Sequence, residues 1–379
     1  MTHTISASVA PIFRDSRALA STSWYEPLLD RALIPDVLIR AGIRARLRAQ
    51  IVHEERGSIE DRHERFRTFL AELRTSPIAI QTRLANEQHY ELPADFFRLC
   101  LGPRLKYSGC LFPPGVATLA QAEEAMLNLT CQRARVRDGM SILDLGCGWG
   151  SLYLWIAEKF PRCRITAVSN SRPQREFILA EPARRGLHPP EVITADMNDF
   201  ALDRRFDRVL SVEMFEHMKN YPALLARVAA MMAPDALLFV HIFTHTRIAY
   251  HFRQNDDWIG RYFFSGGTMP SDHLMHYFQD DLNLIDHWRV DGRHYEKTAN
   301  NWLANLDARH EEAVQVLSTA YGRDAQSWCN RWRVFFMACA ELWGLHGGEE
   351  WIVSHYLWSR KDPGRALGAS EMGTARREK

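Results

Sequence analysis

The chain has 379 residues, 46% of them hydrophobic and 11% aromatic, so a large core is expected in one extended domain or two. Lysine plus arginine (47) nearly balances aspartate plus glutamate (46), which argues against nucleic acid as a partner and against global attraction to an anionic membrane. The seven cysteines are too widely spaced for C-x-x-C metal knuckles, and neither a leader pattern nor an apolar run of about 18 residues occurs, so a cytoplasmic protein without a metal is expected.

Residues 1–22 are polar, rich in small side chains and without periodicity, and read as a flexible N-terminus. A helical cap region follows over 23–137. Pro35 can open a helix in which Val37, Ile39, Ile43, Leu47 and Ile51 alternate with Arg40, Arg44, Arg46 and Arg48. Such a helix can rest on a membrane or an acidic partner; a solvated arginine face above a core stripe is the favoured reading. A second helix is predicted over 58–75, with Phe66, Phe69 and Leu73 on one side. Between 86 and 112 the text is dense in aromatics and broken by Pro93 and Gly102, which predicts a loop-helix-loop over the ligand face, with Tyr90-Glu91 and Tyr107-Ser108 standing out. Thr118-x-x-Gln121 reads as a capping box, and Asp138-Gly139 turns the chain into the next element.

The segment 138–245 is predicted to be the cofactor-binding core, and it opens on SILDLGCGWG. A short apolar run carrying Asp144 flows into Gly146, Gly148 and Gly150, then into helical text. A glycine turn that opens a helix lets the backbone approach a ligand and leaves helix-start N–H groups for an anion. The spacing G-x-G-x-G, and the absence of an acid for a ribose after the next strand, weaken a dinucleotide reading. Strands are predicted at 141–145, 164–169, 191–195, 206–212, 237–243, 284–290 and 351–358, with helices between most of them. The fold class is therefore α/β: a doubly wound, seven-stranded Rossmann-like sheet with an N-terminal helical cap and helical lid insertions. The lid is placed at 246–347, interrupted by the strand near 284–290; 348–360 forms the last strand and 361–379 a flexible tail. Both parts of the lid should cover the carboxyl ends of the strands, where such sheets bind ligands.

After the fourth strand comes SVEMFEHMKNY. A helix starting at or near Glu213 would put Glu213, Glu216 and His217 on one face, at the edge of the cleft. Two carboxylates and an imidazole can hold an ammonium group and accept a proton from it. An ordinary acidic first turn that complements a helix dipole is the alternative.

The D-x-G-x-G-x-G pattern resembles the first motif of class I methyltransferases that use S-adenosylmethionine. Longer strings sharpen the likeness: LKYS, ILDLGCGWGSL, SNS-x-x-Q-x-EFI, EMFEHMKNY, DDWI-x-RYFF-x-GGTMPS and GGEEW. Over roughly 86–358 the chain resembles the coclaurine N-methyltransferase group of the cyclopropane fatty acid synthase superfamily. The resemblance implies cofactor contact by Tyr107, Ser108, Gly146, Gly148, Asn170, Gln174, Asp196 and Met197. It implies catalysis by Glu213, Glu216 and His217, and an amine pocket including Tyr90, Glu91, Phe264, Trp332 and Phe335. Plain core packing is the open alternative for Trp332 and Phe335, one turn apart on a helix. The expected reaction is methyl transfer from S-adenosylmethionine to a small cyclic or aryl-alkyl amine, leaving S-adenosylhomocysteine.

The runner-up is methyl or methylene transfer to a lipid acyl chain, which would give the arginine helix a membrane to sit on. Cyclopropane synthases of the superfamily hold a bicarbonate with a cysteine after the Tyr-Ser pair, a glutamate, a fifth-strand histidine and a late tyrosine. Glu216 and His241 match that site, but Gly109 and Phe335 stand at the cysteine and tyrosine positions, with Cys110 next in sequence. Cys339 matches a superfamily cysteine but sits in an apolar run and reads as a buried small hydrophobe. The N-terminal helices can cover the core or pair with a second copy in a homodimer.

Overall fold

The computed structural model describes residues 23–80, 92–252, 258–264 and 266–361, so Tyr90 and Glu91 lie outside the described residues. Helices α1 (Glu26–Asp30), α2 (Asp36–Glu54) and α3 (Ile59–Thr75) come first. Ser58 accepts from Asp61 N while Asp61 accepts from Ser58 N, a reciprocal cap that starts α3, and Phe69 and Leu73 are its buried stripe. After α4 (Ala94–Cys100), Thr118 and Gln121 form the expected capping box of α5 (Leu119–Arg133).

The core then alternates: β1 (Ser141–Leu145), α6 (Ser151–Lys159), β2 (Arg164–Ser169), α7 (Arg172–Arg185), β3 (Glu191–Thr194), β4 (Phe206–Val212), α8 (Tyr221–Ala230) and β5 (Met232–His245). A two-stranded ribbon, β6 (Tyr250–His251) with β7 (Thr268–Met269), flanks α9 (Trp258–Tyr262). Then come β8 (Leu282–Val290), three helices, α10 (Gly292–Ala308), α11 (His310–Tyr321) and α12 (Ala325–Gly344), and β9 (Trp351–Arg360).

The seven-stranded sheet has the order β3-β2-β1-β4-β5-β9-β8. The first five strands are parallel, as crossover helices demand, and β9 inserts antiparallel between β5 and β8. That insertion explains two lengths that local pattern understates. β5 runs on to His245, and β9 to Arg360, because Thr244 and His245 pair with Ile352 and Trp351 while Leu282 pairs with Arg360.

One face of the sheet, through Ile142, Phe239 and Leu357, packs on Leu127, Tyr153 and Ile156 of α5 and α6. The other, through Leu143, Val209 and Trp358, packs on Leu224 and Val228 of α8 and reaches Phe69 of α3. A third, aromatic core joins α4 to α10 and α12 through Phe96, Phe97, Trp302, Trp332 and Phe336. These helices form a roof over the carboxyl ends of β1, β2 and β4. Its burial is strongly favourable, at roughly 1.5–3 kcal/mol for each large apolar side chain taken from water.

Two of the four arginines predicted on one face of α2 turn inward onto the protein. Arg40 donates to Glu341 (2.8 Å) and Asn300 (2.9 Å), and Arg44 donates to Glu341 (2.6 Å), which clamps α2 against α12 and α10. Ile39, Ile43 and Leu47 pack on the roof beneath.

Candidate active site

A cavity of about 660 Å³ opens between the sheet and the roof, within the size range of small-molecule sites. Its floor is the glycine loop. Gly146, Gly148 and Gly150 have φ of 79°, 53° and 78°, a left-handed conformation that other residues adopt only at a cost. A Cβ at Gly146 would stand 2.6 Å from Met214, whereas one at Gly148 meets nothing within 4 Å, so the second glycine keeps backbone exposed to the cavity. The amides of Gly146 and Cys147 both donate to Val168 O (3.0 Å), and those two donors are therefore not offered to an anion as the loop pattern suggested.

Next to that loop, where the neighbouring strand β4 ends, lie the two acids and the histidine. Glu213 does not begin a helix as the spacing predicted: its φ is 48°, and a short 3₁₀ turn runs over Phe215–His217 instead. The left-handed residue, rather than helical periodicity, turns Glu213 back into the cavity that Glu216 and His217 also line. Glu213 is held tightly. Its Oε1 accepts from Gly109 N (3.0 Å) and lies 3.2 Å from His241 Nε2; its Oε2 accepts from Tyr295 Oη (2.7 Å). Burial raises the Glu213 pKa, and Lys106, the Gly109 amide and Tyr295 oppose that rise.

Glu216 is placed differently. It is 1% exposed, and its Oε2 has no partner among the described residues. Burial, followed by the charge of Glu213, pushes it well above the ordinary carboxylate range. His217 is pushed down to about 4 by burial, so its imidazole is neutral at pH 7, and its ring lies 4.8 Å from that of Phe264.

Of the other residues singled out from sequence, Tyr107, Ser108, Gly146, Gly148, Asn170, Gln174, Met197, Phe264 and Phe335 line the same cavity. Trp332 stands behind the wall: fully buried, it packs against Phe96, Phe97, Phe263 and Phe336. Asp196 also lies off the cavity lining, its side chain accepting from Asn198 N (2.8 Å). Cys110 is buried outside the lining, its thiol pushed up to about 12 by burial. Cys339 does line the cavity, and burial and Glu213 raise its pKa.

Several lining residues escaped the sequence reading. Asp144, the first residue of the glycine motif, is 2% exposed, lines the cavity and has an unpartnered Oδ2; burial pushes it up to about 7. Its motif position was the available signal. Tyr295 sits 82 residues beyond Glu213 and carried no signal, because only the docking of α10 brings them together. Tyr25, Ile39, Ile43 and Leu47 from the N-terminal helices complete the wall.

These residues fit the S-adenosylmethionine that the resemblance implies. The orphaned Asp144 Oδ2 is an acceptor for an ammonium or a hydroxyl, the unpartnered Gln174 Nε2 is a donor, and Gly148 leaves room for close approach. Ser169 Oγ donates to Gln174 Oε1 (2.7 Å) and so aims that free donor.

The model of the mycolic acid cyclopropane synthetase family matches residues 79–346. (S)-coclaurine N-methyltransferase from Thalictrum flavum subsp. glaucum is 40% identical, over 88% of this chain and 94% of its own. Cyclopropane-fatty-acyl-phospholipid synthase from Escherichia coli K12 is 28% identical over 63% of this chain and 61% of its own. Among solved structures, coclaurine N-methyltransferase bound to N-methylheliamine and S-adenosylhomocysteine (SAH) superposes with a TM-score of 0.85 at 37% identity, covering 88% of this chain and 98% of that one.

Proposed function

The chain belongs to the mycolic acid cyclopropane synthetase family and is an S-adenosylmethionine-dependent methyltransferase, and on that premise we propose that it N-methylates a small cyclic or aryl-alkyl amine. Benzylisoquinoline-type amines are the first class to test, given the relatives named above.

When bound, S-adenosylmethionine supplies an electrophilic methyl group on a sulfonium. The acceptor nitrogen must offer a lone pair, yet an alkylammonium, with a pKa of about 10, enters protonated. Glu213, held by the Gly109 amide and the Tyr295 hydroxyl, is the fixed counter-charge for that cation. Glu216 is the proton acceptor: the incoming positive charge favours its carboxylate, so the proton that burial holds on it at rest leaves to solvent as the ammonium enters; an N–H bond then breaks, an O–H bond forms on Glu216 and the lone pair is freed. A carboxyl group raised by burial matches an ammonium better than an ordinary one does. His217, neutral, flanks the nitrogen, and the rings of Phe264 and Phe335 add cation–π attraction of order 1 kcal/mol. The roof excludes water, which would otherwise compete with the amine and screen the carboxylates.

The observation that carries this reading is the buried Glu216, whose Oε2 has no partner among the described residues, beside Glu213 in the cavity that the glycine loop also lines. Lipid transfer is less well supported. Gly109 stands at the position that the resemblance gives to the cysteine, and Cys110 is buried off the cavity. Incubation with a methyl-labelled donor should transfer label to amines of this class; label appearing only in phospholipid vesicles would sink the assignment. Glu216→Gln should lower kcat by about 100-fold while leaving donor affinity within twofold, and an unchanged kcat would remove Glu216 from the chemistry.

A further inference from the structure

Glu213 is the end of a buried line of polar groups that runs along one face of the sheet. Arg133, at the end of α5, lies 2.7 Å from His355 Nδ1 on β9; His355 Nε2 lies 2.9 Å from His241 Nδ1 on β5; His241 Nε2 lies 3.2 Å from Glu213 Oε1 after β4. His241 and His355 are directly opposite in the β5–β9 register, and both are fully buried. We propose that Arg133, His355 and His241 form a one-way hydrogen-bond line that keeps Glu213 ionised and aimed, making these three positioning residues for the methyl transfer.

The direction follows from donor chemistry. A guanidinium can only donate, so His355 Nδ1 must accept and a neutral His355 carries its proton on Nε2. That proton forces His241 Nδ1 to accept, which leaves the His241 proton on Nε2, facing Glu213. Glu213 cannot then donate back along the line; it receives. With Gly109 N–H and Tyr295 O–H it has three donors, the arrangement that holds a carboxylate in its charged form. Burial keeps both imidazoles neutral, which the relay requires. Arg133 is itself positioned over the Trp288 ring, 4.9 Å from its centroid.

Other charges bear on the same groups. Facing Glu213 are Lys106, Glu216, His217, Tyr295 and Cys339. Facing the imidazoles are Lys106 and His287, and Asp286 is near Arg133. None of them offers a second route by which His355 Nδ1 is served, so removal of Arg133 releases the tautomer.

The proposal rests on Glu213 being the counter-charge for the acceptor, and two separate readouts keep the two ideas apart. In the full chain labelled with ¹⁵N-histidine, long-range ¹H–¹⁵N spectra at pH 7 should show His241 and His355 both as the Nε2–H tautomer. In Arg133→Met, which keeps a stem over Trp288, that fixed pattern should be lost at His355. An Nδ1–H tautomer or an imidazolium at either position in the wild type would overturn the line. The second readout is the pH dependence of kcat for an amine that the wild type methylates. Loss of donors raises the Glu213 pKa, so the acid limb should move to higher pH by about one unit in Arg133→Met and in His355→Phe. It should return in Arg133→Lys, which still donates. A uniform drop in kcat with an unmoved limb would mean a merely structural role. Should no amine be turned over by the wild type, the amine reading fails while the tautomer spectra still decide the line. If His355→Phe does not fold, Arg133→Met, on a half-buried side chain, carries both measurements.

Discussion

Gly109 and Tyr295 illustrate how a single missing side chain shapes the site. A Cβ on residue 109 would come within 3.0 Å of the Tyr295 ring, so the glycine leaves just enough room for that ring to lie alongside and donate to Glu213. The same glycine donates its own amide to Glu213. Gly109→Cys should therefore displace Tyr295 and lower kcat/KM for the amine by about 10- to 100-fold, the range expected for losing a hydrogen bond to a charged group. Tyr295→Phe should cost a similar factor, and the double variant much less than the product of the two, because both act on one contact. Strictly multiplicative losses would show that the two positions act independently. None of this was legible in sequence. Gly109 read only as a departure from a family pattern, and Tyr295 did not register.

Among the elements, β9 owes its place to Asp272, a buried acid between β7 and β8. Its carboxylate accepts from Arg289 Nε (2.8 Å) and Ser354 Oγ (2.6 Å) and pairs with His287 (2.9 Å); its carbonyl accepts from Tyr356 (2.6 Å). Burial alone would raise its pKa, but the bonds from His287, Ser354 and Arg289 outweigh it and bring the value down to about 2. A depressed acid contributes stability above its unfolded value near 4, and that stability is lost as pH falls through the folded value. The window is therefore pH 4 to 2, and the contribution is on the order of 2 kcal/mol. Thermal melts of the wild type should fall steeply across that window, and Asp272→Asn should be less stable at pH 7 with a shallower fall; parallel curves would contradict the clamp. Most elements could be placed from local text, since β1, β2 and β4 end where their apolar runs end. The antiparallel insertion of β9 could not, because it depends on pairing partners more than 100 residues away, such as His241 with His355. The helix expected at Glu213 failed for a similar reason: the β4 neighbour His241 accepts the Glu213 amide through its carbonyl (2.8 Å), which fixes that backbone outside a helix.

Across the whole molecule, the N-terminal helices and the roof together wall the cavity. Glu341 on α12 receives Arg40 and Arg44 of α2, and α2 in turn lines the cavity through Ile39, Ile43 and Leu47. Glu341→Ala removes the carboxylate that both arginines share, leaving Arg40 only Asn300, and loosens that wall. The expected result is a KM for the amine raised several-fold with donor affinity unchanged; an equal rise for both ligands would mean that α2 does not belong to the acceptor side. The amino-acid sequence by itself determined the alternating α/β core, the glycine loop, the caps of α3 and α5, and the family strings that name the cofactor, because these depend on residues close together in the chain. Only the tertiary structure decided that Trp332 is core, that the arginines of α2 clamp the roof, and that Glu213 and Glu216 have different surroundings. Those outcomes depend on which distant donors reach a buried group and which do not, and local spacing carries no record of that.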